Sequence, residues 1–93
     1  MYELKRYHGD RVMSLTFEDD NQSFSVGILS PGEYEFGAIK KEVFTVTSGV
    51  ISHWVDGADI WKTHGKNDMF SIPERTNFKL SVEQVSSYFC IYK

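Results

Sequence analysis

An all-β domain, built as a barrel or sandwich of short strands, is predicted by three features of this sequence. Apolar and polar residues alternate with a period of two along much of the chain. Turn-forming residues recur every eight to twelve positions. No window of ten or more residues carries a 3.6-residue apolar period, so helices are not expected. Ninety-three residues support one core, and a single domain spanning 1–93 follows.

The first expected strand, 11–17, ends at the turn Asp19-Asp20-Asn21. The second, 23–29, sets Phe24, Val26 and Ile28 against Ser23, Ser25 and Gly27. Pro31-Gly32 suits the two central positions of a type II turn, because proline presets a negative φ and glycine accepts a positive one. Strand 33–38 follows. In 42–48 the apolar Phe44 and Val46 share a face with Glu42. Ser48-Gly49 turns into 50–55, and Asp56-Gly57 leads to 59–63. Gly65-Lys66-Asn67 precedes 69–72, and Pro73-Glu74 precedes 77–82, where Phe78, Leu80 and Val82 alternate with Asn77, Lys79 and Ser81. The last strand, 87–92, sets Tyr88, Cys90 and Tyr92 on one face. Eight or nine short strands with this spacing hide their edges by closing on one another.

Composition narrows the function classes. Aromatic residues make up 15% of the chain, enough for a packed core. A net charge of −3 and an isoelectric point near 5.5 argue against a nucleic acid polymer as partner, since phosphate neutralisation needs clustered cations. No apolar run is long enough to span a membrane, and the N-terminus has no signal-peptide core. Cys90 is the only cysteine, so no intramolecular disulfide forms and a reducing cytoplasm is the expected location.

Six residues separate Glu42 from Gly49, the spacing of the second half of the first cupin motif, and Met69–Ile72 with Pro73 resembles the start of the second. More specifically, the ordered set Ser25-Val26-Gly27, Pro31-Gly32-Glu33-Tyr34-x-Phe36, Glu42-x-x-Thr45-Val46-x-Ser48-Gly49, Asp59-x-Trp61, Phe70-x-Ile72-Pro73, Phe78-x-Leu80-x-Val82 and Ser87-Tyr88-x-Cys90-x-Tyr92 resembles the pyrimidine/purine nucleoside phosphorylases, a family of small single-domain cupins. The resemblance runs from about residue 7 to 93. It implies a jelly-roll cupin barrel, a homodimer, and cleavage of diverse purine and pyrimidine nucleosides by phosphate to free base and ribose 1-phosphate. Two positions depart from the family pattern. Asn67 replaces a usual glycine, and asparagine tolerates the left-handed φ such a turn needs. Ile91 stands where some members carry arginine.

Metal chemistry is not expected. A metal cupin places two histidines just before the motif glutamate, where this chain has Glu35, Phe36, Gly37 and Ala38. The third histidine position holds Phe78. His8, His53 and His64 have no ligand spacing, so no metal and no organic cofactor are expected, only phosphate as co-substrate.

Phosphorolysis needs three things: a clamp for the sugar, a stacking surface for the base and a seat for phosphate. Carboxylates accept hydrogen bonds from ribose hydroxyls, which makes Glu42 and Glu33 the catalytic candidates. Glu42 lies either inside the barrel or at its solvated rim. Glu33 is a site residue or a solvated strand end. Tyr34, Phe36, Thr45, Trp61, Phe78, Tyr88 and Tyr92 are substrate-binding candidates, since any base has a face to stack. The same aromatics equally suit a plain core. Lys41, Ser48, Arg75 and Lys79, with Lys40 beside them, are phosphate candidates or solvated surface charges. Cys90 reads as a small buried hydrophobe, not a nucleophile. The rival to the enzyme is a cupin that only binds a nucleobase, nucleoside or sugar.

Overall fold

The computed structural model describes residues 2–93, which form ten β-strands and no helix: β1 (Tyr2–Tyr7), β2 (Val12–Glu18), β3 (Ser23–Leu29), β4 (Gly32–Ala38), β5 (Glu42–Ser48), β6 (Ile51–Val55), β7 (Lys62–His64), β8 (Met69–Ile72), β9 (Thr76–Val82) and β10 (Ser86–Tyr92). Six strands make one sheet in the order β1-β2-β3-β10-β5-β8, and four make the other, β4-β9-β6-β7. All pairings are antiparallel. The jelly-roll arrangement expected of a cupin is present. Its two sheets meet face to face, and no ladder closes them into one ring.

The inner faces follow from alternation. Val12, Leu29, Phe44, Val46, Phe70, Ile72, Tyr88 and Cys90 come from the large sheet, and Tyr34, Ala38, Ile51, Phe78, Leu80 and Val82 from the small one. Each of these is under 9% exposed, and together they form one core between the layers.

Three sequence expectations need correction. The strand Tyr2–Tyr7 was not anticipated. It lies at the sheet edge and is mostly exposed, so its apolar residues carry no core pattern. The strand expected at 59–63 is only Lys62–His64, because Asp59 to Trp61 form an exposed approach to it. The Pro31-Gly32 bend is more open than a type II turn: Gly32 takes a φ of +149°, where +80° is usual. Side chains hold this bend. The Tyr34 hydroxyl donates to the Ser30 carbonyl at 2.6 Å, and Arg11 Nη2 donates to the Pro31 carbonyl at 2.7 Å. Asn67 takes a φ of +74°, the left-handed value its turn requires.

Gly27 positions the site directly. A Cβ there would stand 2.2 Å from Tyr88 Cζ, so only glycine lets the Tyr88 ring lie flat across β3.

Candidate functional site

Between the sheets, at one end of the sandwich, lies a cavity of about 430 Å³. Phe36 from β4 and Phe78 and Leu80 from β9 line one side. Ser14 from β2, Glu42 and Phe44 from β5, and Tyr88 and Tyr92 from β10 line the other. Tyr7, His8, Glu35 and Gly37 complete the rim. The walls are largely aromatic. Phe36 and Phe78 have ring centroids 5.6 Å apart, and Phe44 meets Tyr88 edge-on at 5.1 Å.

Glu42 points into this space because period-two alternation puts it on the same face as the buried Phe44 and Val46. Its one side-chain hydrogen-bond partner among the described residues is the Cys90 thiol, whose Sγ lies 3.8 Å from Oε1. No cation pairs with it among those residues. Burial therefore dominates and pushes the carboxyl up to about 7, while the Cys90 contact pulls weakly the other way. Burial, and then the neighbouring Glu42, pushes the Cys90 thiol well up, so it stays a thiol and is no nucleophile.

Two tyrosine hydroxyls point into the same region. Tyr92 shares a 2.8 Å hydrogen bond with the fully buried Ser25 hydroxyl, and burial raises it to about 12. Burial raises Tyr88 further, against the opposing effect of the Ser14 hydroxyl beside it. Both remain neutral donors at ordinary pH.

A second cavity of about 330 Å³ adjoins the first. The two share Tyr7, Gly37, Glu42 and Tyr92 as a common wall. Its other sides hold Lys5, Thr16, Glu18, Ser23, Ile39 and Lys40.

Of the residues singled out in the sequence, the structure thus brings together Glu42, Phe36, Phe78, Tyr88 and Tyr92. Lys40 lines the adjoining cavity, and the others stand elsewhere. Glu33 is on the outer face of β4, with its Oε2 3.9 Å from Lys79 Nζ, and Lys79 also lies over the Trp54 ring. Tyr34 is in the core and spends its hydroxyl on the Ser30 turn. Thr45 faces outward from β5, opposite Phe89 and Met69. Trp61 is 39% exposed before β7. Ser48 closes β5 at the end away from Glu42, and Arg75 is exposed in the turn before β9. Lys41 is exposed, and its carbonyl accepts from the Lys93 N–H at 2.7 Å.

Several wall residues escaped the sequence reading. Tyr7 and Lys5 come from the unanticipated edge strand. Ser14, in the run Val12-Met13-Ser14-Leu15, carried a usable signal: a hydroxyl on the buried face of a strand points to a polar partner inside.

Behind Phe44 the aromatic wall continues outward. Phe44 stacks on Phe70 at 4.9 Å, and Phe70 stacks on both His53 and His64 at 4.5 and 4.4 Å. His53 Nδ1 and His64 Nε2 share a 2.7 Å hydrogen bond. Burial, then His64 and Lys62, pushes His53 down to about 4, and His64 is lowered too.

The family model for pyrimidine/purine nucleoside phosphorylase matches residues 2–92. A Pseudomonas putida protein of that name is 34% identical over 93 residues, covering 100% of this chain and 99% of its own. A Marinobacter nauticus protein of the same name is 32% identical over 92 residues, with 99% of each chain covered. Among solved structures, a Vibrio parahaemolyticus protein of unknown function superposes with a TM-score of 0.94 at 31% identity, covering 100% of this chain and 99% of that one. A cupin superfamily protein from Desulfitobacterium hafniense gives a TM-score of 0.74 at 12% identity, with 97% and 81% covered, which supports the fold alone.

Cupins commonly hold a metal, and the residues here do not fit one. The first cavity has His8, Glu35 and Glu42 in its lining, but these are not gathered into an ion-holding group, the partner of Glu42 is a thiol, and Phe36 and Phe78 offer only carbon. Among the described residues no group of three or more His, Cys, Asp or Glu side chains is arranged to hold an ion.

Proposed function

The chain belongs to the pyrimidine/purine nucleoside phosphorylase family, and on that premise we propose that it cleaves purine and pyrimidine nucleosides with phosphate, releasing free base and ribose 1-phosphate. One observation carries the reading: an unpaired carboxyl, Glu42, projects into an aromatic-walled cavity.

The aromatic walls suit a base of either class, because stacking reads a π-face and not a particular edge. Glu42 faces the sugar. A phosphate oxygen forms the new bond to the anomeric carbon as the carbon–nitrogen bond breaks, and the bonding pair leaves with the base, which takes up a proton. Positive charge builds on the sugar ring in the transition state. Ionised Glu42 steadies that charge and accepts a ribose hydroxyl, whereas its protonated form can supply the proton to the base. A carboxyl near 7 populates both forms around neutral pH. No metal or organic cofactor enters this scheme.

The working unit is a homodimer. The outer face of the large sheet is apolar: Leu4, Leu15, Val26 and Phe89 fall in one row across β1, β2, β3 and β10. Leu4, Val26 and Ile28 are 52%, 40% and 53% exposed, and with Met13 and Leu15 they line a shallow depression of about 410 Å³. A two-fold copy of the same face would cover it. No helix is long and apolar enough to cross a membrane, and the free thiol of buried Cys90 suits a reducing cytoplasm.

The decisive test is incubation of the purified protein with inosine and with uridine, with and without phosphate, followed by chromatography for free base. Phosphate-dependent release of hypoxanthine and uracil is expected. Binding of nucleoside without release would favour the binding cupin instead.

A further inference from the structure

We propose that inorganic phosphate occupies the second cavity, seated by Lys5 and Lys40 with the hydroxyls of Thr16 and Ser23, and that the base occupies the first. This rests on the reading above and adds the phosphate residues and the direction of attack to it.

The argument begins with charge. Of the chain's ten Lys and Arg residues, Lys5 and Lys40 are those lining a cavity that Glu42 also lines. Neither is engaged in an ion pair among the described residues. Both therefore have their donors available for an anion. Glu18 and Glu42 are in the same wall, two carboxyls against two lysines, and burial holds one of the two, Glu42, partly protonated near neutral pH. The first cavity holds no Lys or Arg, and its aromatic lining suits a base and not a dianion.

Hydroxyls agree with charge. The inner face of β2 and β3 carries Thr16 opposite Ser25, and Ser23 opposite Glu18, so neutral donors flank the second cavity. Thr16 and Ser23 supply them from strands rather than from loops.

Stereochemistry makes the division necessary. Displacement at the anomeric carbon needs the nucleophile on the face opposite the departing base. The sugar must then sit between a base site and a phosphate site. Glu42 and Tyr92 belong to both cavities and mark that middle position.

The test has two parts. First, inorganic phosphate is titrated calorimetrically into the wild type, the double variant Lys5→Gln/Lys40→Gln, and the exposed-turn control Lys66→Gln. Binding is expected in the wild type and the control and should weaken about tenfold or more in the double variant. Second, steady-state phosphorolysis is measured for the three proteins. The double variant should raise the KM for phosphate about tenfold or more, with the nucleoside KM within about twofold of the wild type. Equal phosphate binding by wild type and double variant would overturn the proposal, whatever the activity. If the wild type binds phosphate through these lysines yet releases no base, the phosphate seat stands and the enzymatic reading fails. A rise in nucleoside KM with phosphate KM unchanged would also overturn it, by moving the lysines to the base side.

Discussion

Replacing Glu42 by glutamine should abolish the pH dependence of stability that this one side chain imposes. In the folded chain burial moves the carboxyl from its ordinary 4.5 to about 7. Between those values the folded protein keeps a proton that the unfolded chain has released. A carboxyl raised in this way gives stability that is present below about 4.5 and lost as the pH climbs through 7. At 1.36 kcal/mol per pH unit the ceiling is about 3.4 kcal/mol. Glu42 borders an open cavity and solvent screens part of its charge, so about 1–2 kcal/mol is the working figure. Glu42→Gln keeps the shape and cannot ionise. Urea unfolding of both proteins at about pH 5 and about pH 8.5 isolates the effect, because every other titrating group cancels in the difference. The variant should gain about 1–2 kcal/mol on the wild type between the two conditions. Parallel pH dependences in the two proteins would refute the placement of Glu42 as a buried, unpaired carboxyl. In the phosphorolysis assay the same variant should lose about 100- to 1000-fold in kcat, with little change in KM, as expected when a transition-state contact is removed.

Three further outcomes can be checked. Gly27→Ala drives a methyl into the Tyr88 ring and should destabilise the fold by about 1–3 kcal/mol; a double-mutant cycle with Tyr88→Ala should show coupling of about 1 kcal/mol or more, and simple additivity would disprove the clash. His53, lowered to about 4 mainly by burial, gives stability that is intact above its ordinary 6.5 and lost as the pH falls towards 4; histidine ring signals in an NMR titration should show it neutral at about pH 5.5, and a midpoint near 6.5 would contradict its burial beside His64 and Phe70. Light scattering at micromolar concentration should report a dimer, and Val26→Lys on the exposed apolar row should yield monomer; a wild type that is monomeric throughout would reject the interface.

The strand pattern was legible because a core needs alternation, and the residues that build the core of this sandwich alternate plainly in β3, β5, β9 and β10. Glu42 was legible as a candidate for the same reason, since it shares the period of Phe44 and Val46. Its orientation was not, because alternation alone cannot separate the cavity from the rim at the first residue of a strand. Tyr34 and Thr45 show the other limit. Tyr34 follows Gly32-Glu33 and Thr45 lies between Glu42 and Gly49, yet one spends its hydroxyl on the Ser30 turn and the other faces outward, and each outcome depends on the bend the backbone takes or on the face its strand presents. The phosphate wall was legible only in part. Lys40, in the turn between β4 and β5, was a phosphate candidate from its place beside Glu42, whereas Lys5 rides on an edge strand whose apolar residues are solvent-exposed and belongs to no periodic pattern.

The position of β10 has a consequence for how the protein comes into being. It is the last of the ten strands to leave the ribosome, yet it lies in the middle of the large sheet, between β3 and β5. Until it arrives, β1-β2-β3 and β5-β8 are separate ribbons, and β3 and β5 each present an unpaired edge that β10 later fills. Its insertion closes loops of many residues at once, which makes folding slow and late. The same strand brings Tyr88, Cys90 and Tyr92. A chain stalled before residue 86 therefore has β5 paired on one side only, to β8, and lacks the Tyr88 and Tyr92 wall of the cavity, so the complete site exists only in molecules that have finished folding.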